Sequence, residues 1–185
     1  MKPLLRFDAV TLRRGGRLLF EGLDLKLGPG EALHVTGLNG SGKTSLIRLA
    51  AGLLRAESGA VERTELALSD EALALDRELP LRKALRFWTG AERLDAAMDA
   101  MGLSKLADVP VRLLSSGQAK RATLARVAAS GVNLWLLDEP LNGLDGDGVE
   151  RLETLIANHR ASGGAVLAAS HAPLGGEWAK LELGH

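Results

Sequence analysis

Gly37-Leu38-Asn39-Gly40-Ser41-Gly42-Lys43-Thr44 decides the fold. The run fills the pattern G-x-x-x-x-G-K-[ST] without a gap. Ala32–Thr36, just after the Gly28-Pro29-Gly30 turn, reads as a short buried strand. A helix is expected from about Lys43 to Ala51, with Leu46, Ile47, Leu49 and Ala50 on one side and Gly52 as its stop. Strand, glycine-rich loop and helix are the setting that this pattern requires. The glycines let several N–H groups turn toward one anion, and the helix N-terminus adds its partial positive charge. In such a loop Lys43 reaches the β- and γ-phosphates of a nucleotide, and the Thr44 hydroxyl ligates Mg²⁺. Gly37, Asn39, Gly40, Ser41, Gly42, Lys43, Thr44 and Ser45 are therefore the expected nucleotide-binding residues.

Further along, Leu134-Trp135-Leu136-Leu137-Asp138-Glu139 is an apolar strand that delivers two acids at its C-terminal edge. Ligands of a parallel sheet gather at that edge. There Asp138 is placed to hold the metal, and Glu139 to polarise an attacking water as general base.

Around these two stretches the pattern alternates. Leu4–Val10 and Leu23–Leu27 read as short strands, and residues 60–68 as one more. Helices are expected over about 116–129 and 147–161, the second carrying Val149, Leu152, Leu155 and Ile156 on one face. Ala165–Ala169 and Trp178–Leu183 complete the strands. Between about 71 and 114 the chain is rich in Leu, Ala, Arg and Asp, and 91–101 forms a helical run ending at Gly102. The expectation is an α/β fold with a mostly parallel sheet flanked by helices. The core covers about 1–70 and 115–185, and a small helical insert about 71–114.

Composition narrows the class. At 185 residues the chain suits one domain. Leu (38) and Ala (27) dominate its apolar content, against three Phe, three Trp and no Tyr, so the core is aliphatic. Balanced charge, 23 basic and 23 acidic residues, gives no long-range pull toward nucleic acid or acidic lipid. Without Cys, disulfide frameworks and Cys-ligated metals are excluded. The longest stretch free of Asp, Glu, Lys and Arg, 161–176, is broken by glycines and Pro173, so direct membrane insertion is not expected. Met1-Lys2-Pro3 does not open a signal peptide, and the expected location is cytoplasmic.

A phosphate loop alone leaves kinases, GTPases, helicases and transport ATPases open. Leu114-Ser115-Ser116-Gly117-Gln118, just ahead of a helix carrying Lys120, Arg121 and Arg126, separates them. This resembles the LSGGQ signature of ATP-binding-cassette (ABC) ATPases, with Ser116 at the third position. Gly143-Leu144-Asp145 resembles the family's D-loop, and His171 stands at its switch-histidine position. Gly28-Pro29-Gly30-Glu31 is similar to the lead-in to its phosphate loop. The resemblance covers nearly the whole chain. It implies that ATP is the ligand, with Mg²⁺ as cofactor, and that His171 senses the γ-phosphate. Ser115, Gly117 and Gln118, with Asp145, would close on ATP held by a second nucleotide-binding protomer, beneath integral membrane transporter subunits. The site would lie on the cytoplasmic face of the bacterial inner membrane.

Two departures stand out. Arg14, beside Arg13, occupies the place where the family puts an aromatic against adenine; a guanidinium also stacks on a base. Gln118 is the only Gln in the chain, so the family's Q-loop glutamine is absent, and Glu71 is the nearest replacement. Within the family, Leu18–Leu23, the short insert ending in Leu85-Arg86-Phe87-Trp88, and Leu114–Ala125 followed by Leu134–Asp145 resemble the ATPase subunit of the haem exporter of bacterial cytochrome c maturation, which implies CcmB/CcmC-like membrane partners. An ATPase of another ABC exporter, a soluble ABC ATPase, a phosphate-loop kinase or GTPase, and a binding module with little turnover are the alternatives.

Overall fold

The computed structural model describes residues 2–70, 75–89 and 91–184. Glu71 lies outside them. The chain opens with a long antiparallel hairpin, β1 (Leu5–Arg14) and β2 (Arg17–Leu27), turning at Gly15-Gly16. Both strands run further than the short stretches that period-two alternation marks. Glycine pairs between two such stretches are a hairpin signal, and here they extend the ladder to Arg14 opposite Arg17.

β3 (Ala32–Gly37) leads into α1 (Lys43–Ala50), as expected. Residues 60–68, expected as one strand, form two in different sheets. β4 (Ser58–Arg63) pairs with β1, and β5 (Leu66–Ser69) pairs with the later strand β6 (Leu134–Asp138). The chain changes sheets at Thr64-Glu65, where the Thr64 N–H donates to the Leu4 carbonyl at 3.0 Å. The polar run Glu62-Arg63-Thr64-Glu65 separates Ala60-Val61 from Leu66-Ala67-Leu68, and the break between the two strands falls within it.

Two short helices follow, α2 (Leu81–Arg86) and α3 (Ala91–Ala100), then 3₁₀ turns at Ser104–Leu106 and Val111–Leu113. α4 (Ser116–Ala129) returns to β6, α5 (Gly146–Ala161) to β7 (Ala165–Ala169), and β8 (Ala179–Leu183) closes the described chain. The strands form a three-stranded antiparallel sheet, β2-β1-β4, and a five-stranded parallel one, β5-β6-β7-β3-β8.

Strand alternation builds two cores, one on each face of the parallel sheet. Leu134 and Leu136 of β6, with Ala165 and Leu167 of β7, face Leu46, Ile47 and the antiparallel sheet residues Leu5, Phe7 and Leu27. Trp135 and Leu137, with Val166, face α4, α5 and the insert through Leu124, Ile156, Leu85 and Met98. Both faces are dry, which is why β6 and β7 read as unbroken apolar runs. Arg126 of α4 ties the insert to the sheet. Its Nη2 donates to the Leu68 carbonyl at 2.6 Å, and its guanidinium lies 5.0 Å from the Trp88 ring centre. No helix among the described residues is long and apolar enough to cross a membrane.

Candidate functional site

Because β3, β6 and β7 are parallel neighbours, their C-terminal ends bring three loops to one edge. From β3 comes Gly37–Thr44, from β6 Asp138-Glu139, and from β7 Ser170-His171. A cleft of about 510 Å³ opens there. Arg14, Asn39, Gly40, Gly42, Lys43, Thr44, Ser45, Glu139 and His171 line it, together with Leu19 and Asn142. That size suits a nucleotide-sized ligand.

Gly37 shows why the loop needs glycine. Its φ is 139°, and a Cβ there would run into the Leu183 carbonyl of β8 and the Ser41 hydroxyl. The Ser41 oxygen is buried with no hydrogen-bond partner among the described residues. Lys43, also buried, folds back over the loop. Its Nζ donates to the carbonyls of Gly37 at 2.9 Å and Leu38 at 3.2 Å, and to Nε2 of His171 at 3.0 Å. The Thr44 hydroxyl donates to Oδ1 of Asp138 at 3.2 Å. Arg14 reaches the same cleft, with Nη1 3.4 Å from the Ser45 hydroxyl.

Glu139 leaves β6 with φ of 45°, in the left-handed region that a non-glycine residue seldom adopts. Its own N–H donates to the Ala169 carbonyl at 2.8 Å, which holds the turn in place. The carboxylate is thereby brought alongside His171, with Oε1 3.5 Å from the imidazole Nε2. Such local strain is a common mark of a working site.

The other predicted residues lie elsewhere. Ser115, Gly117, Gln118 and Asp145 do not line this cleft. Ser115 caps α4: its hydroxyl accepts from the Gln118 N–H at 3.2 Å, and Gln118 Oε1 accepts from the Ser115 N–H at 2.9 Å. The helix therefore begins at Ser116, as expected, and Gln118 completes a capping box. Asp145 caps α5 by accepting from the Gly148 N–H at 2.8 Å. A Cβ on Gly117 would sit 2.9 Å from the Gly143 carbonyl, so the signature and the D-loop touch within one chain.

Sequence reasoning missed four neighbours of the cleft. Leu19 packs under Gly42, and Asn142 lines both this cleft and the adjoining one that contains Asp70 and Ser116. Arg17 stands opposite Arg14 with its guanidinium beside Gly40. His34 is buried below the edge. Only Asn142, three residues beyond Glu139, carried a local signal; the others depend on strand pairing.

The ABC transporter family model matches residues 20–142, from the hairpin through Asn142. The chain belongs to the ABC transporter family. It is an ABC-type ATPase, and its curated relatives are proteins named cytochrome c biogenesis ATP-binding export protein CcmA. The Sphingopyxis alaskensis protein is 57% identical over 92% of this chain and 91% of its own length. The Novosphingobium aromaticivorans protein is 58% identical over 89% and 87%. Among solved structures, the ATP-binding subunit of an ABC transporter superposes with a TM-score of 0.83 at 23% identity, covering 91% of this chain and 79% of that one. CbiO1 of Clostridium perfringens, part of an ABC transporter complex, gives 0.78 at 23% identity, over 93% and 80%. These two establish that the ABC ATPase shares the fold expected from its motifs.

Proposed function

We propose that this ABC ATPase powers an exporter of c-type cytochrome biogenesis, and that the exported process is haem delivery: release of a haem-loaded chaperone outside the membrane. The observation that carries the reading is identity above half, over nearly the full length, to relatives named for cytochrome c biogenesis export. Residues 1–185 act as one domain, with 71–114 as the helical insert.

In this reading Lys43 and the loop N–H groups hold the ATP phosphates, and the Ser41 hydroxyl adds a donor. Arg14 covers the base. Thr44 and Asp138 form an oxygen-only pair that suits Mg²⁺, so they would hold it. When bound, Mg²⁺ neutralises charge on the β- and γ-phosphates. Glu139 takes the proton of the attacking water, and His171 contacts the γ-phosphate. Ser115, Gly117, Gln118 and Asp145 lie outside this cleft's lining and complete the site of a second protomer.

Integral membrane subunits of the CcmB/CcmC type are the partners, and the protein sits peripherally on the cytoplasmic face of the inner membrane. Phe87, 82% exposed, and Trp88, edge-on to it at 5.3 Å, give the insert an apolar contact for them. The test is complementation. In a strain lacking the gene, the wild-type chain should restore c-type cytochromes and co-fractionate with membranes when its partner subunits are expressed. Normal c-type cytochromes in the uncomplemented deletion strain would overturn the haem-export reading and favour another exporter.

A further inference from the structure

β3 buries one side chain that an apolar strand does not require. His34, 5% exposed, lies between Leu33 and Val35, three residues before the phosphate loop. Its Nε2 is 3.1 Å from the carbonyl oxygen of Ser170. A carbonyl can only accept, so this nitrogen carries a hydrogen and donates it. The Trp178 ring stands edge-on to the imidazole, with centres 6.2 Å apart, and restricts its rotation.

The same Ser170–His171 peptide is used on its other side. Its N–H, on His171, donates to Oε2 of Glu139 at 3.4 Å. One peptide plane is thus held twice, by an imidazole on its oxygen and a carboxylate on its hydrogen. Bonding at the oxygen polarises an amide and makes its N–H a better donor. It also sets the tilt of the plane from which the His171 side chain departs.

We propose that His34 is a positioning residue for ATP hydrolysis, acting through the Ser170–His171 peptide to hold the Glu139 carboxylate toward its water. The role rests on the reading of Glu139 as general base. His34 touches neither nucleotide nor metal in this arrangement. Its loss should therefore reduce turnover while sparing ATP binding.

ATPase kinetics and ATP affinity of His34→Leu, His34→Gln, Glu139→Gln and the His34→Leu/Glu139→Gln double variant test this. His34→Leu should lower kcat about tenfold, because a small misplacement of a reacting group is costly. Its ATP affinity should stay within twofold. His34→Gln, whose amide can donate to Ser170, should recover most of the loss. With Glu139→Gln already present, adding His34→Leu should change the residual rate less than twofold.

A parental kcat in His34→Leu beside a crippled Glu139→Gln would overturn the role of His34 alone. An equal loss in the Glu139→Gln background, or no recovery by glutamine, would do the same. A parental rate in Glu139→Gln by itself would overturn the general-base reading and this role with it. Should leucine prevent folding, His34→Phe fills the ring volume without a donor, and equal rates for His34→Phe and His34→Gln overturn the proposal. Hydrogen exchange of the His171 amide supplies a further readout: exchange at least tenfold faster in the donor-free His34→Leu or His34→Phe than in His34→Gln is expected, and equal exchange would overturn the role of His34.

Discussion

Nζ of Lys43 donates to Nε2 of His171 across 3.0 Å, joining the phosphate loop to the end of β7. Accepting this bond requires Nε2 without its proton. The same nitrogen lies 3.5 Å from Glu139, whose carboxylate could instead accept from a protonated Nε2. The imidazole thus chooses between two partners according to where its proton resides. In the proposed reading an incoming γ-phosphate would compete for Lys43 and leave His171 to the phosphate and Glu139. His171→Ala should keep ATP affinity within about threefold while turnover falls ten- to a hundredfold. Lys43→Ala should weaken ATP binding at least tenfold, since a charge-assisted bond to phosphate contributes about 1.5–3 kcal/mol. Calorimetry beside a phosphate-release assay separates the two effects.

Gly117 makes a demanding test of the signature, because its hydrogen already faces the Gly143 carbonyl. A Cβ at 2.9 Å forces the D-loop to shift, whatever else the side chain brings. Gly117→Ala should therefore reduce turnover by itself. Gly117→Asp should abolish it, by adding a carboxylate where, in the proposed reading, a partner's γ-phosphate would dock. ATP binding to the single chain should persist in both, since Lys43 and Thr44 are untouched. Normal turnover in Gly117→Asp would remove the signature from the site.

Arg14 and Arg17 face each other across the hairpin end, two like charges at a cross-strand pair. Such a pair is unfavourable alone and welcomes a polyanion. If Arg14 stacks on the base, Arg14→Ala should lower ATP affinity about three- to tenfold while leaving inorganic tripolyphosphate affinity unchanged. Arg14→Phe should restore ATP affinity. Arg17→Ala should weaken ATP and tripolyphosphate alike, because its guanidinium lies beside Gly40 of the loop.

His159 links pH to stability. Burial pushes its pKa below the ordinary histidine value, against the hydrogen bonds to the Asn133 and Ala165 backbone that favour the charged form. The ring lies flat on Trp135, centres 3.6 Å apart, and Nε2 meets the Asn133 carbonyl at 3.2 Å. Above about pH 6.5 both folded and unfolded chains carry it neutral. As pH falls below that value the unfolded chain takes up the proton first, so stability declines until the folded-state pKa is passed. Thermal melting should fall between pH 7 and 5. His159→Phe, which keeps the stacking, should flatten that part of the curve.

Much of the site was legible in the linear chain because its chemistry is contiguous. The phosphate loop needs eight adjacent residues, and the metal and base carboxylates sit next to each other at the end of one apolar strand. Ser115 and Gln118 are three residues apart, so their capping is local as well. What depended on distant partners was hidden. Residues 60–68 are expected as one strand, yet β4 and β5 separate because β1 claims one and β6 the other. His34 resembles an odd polar residue in an apolar strand until β7 places the Ser170 carbonyl against it, 136 positions away in the chain. The sequence alone determined which residues could carry nucleotide chemistry, since each motif is a fixed spacing of donors and acceptors. Tertiary structure alone decided how Lys43, His171 and Glu139 converge, because that geometry arises from three parallel strands ending at a single edge.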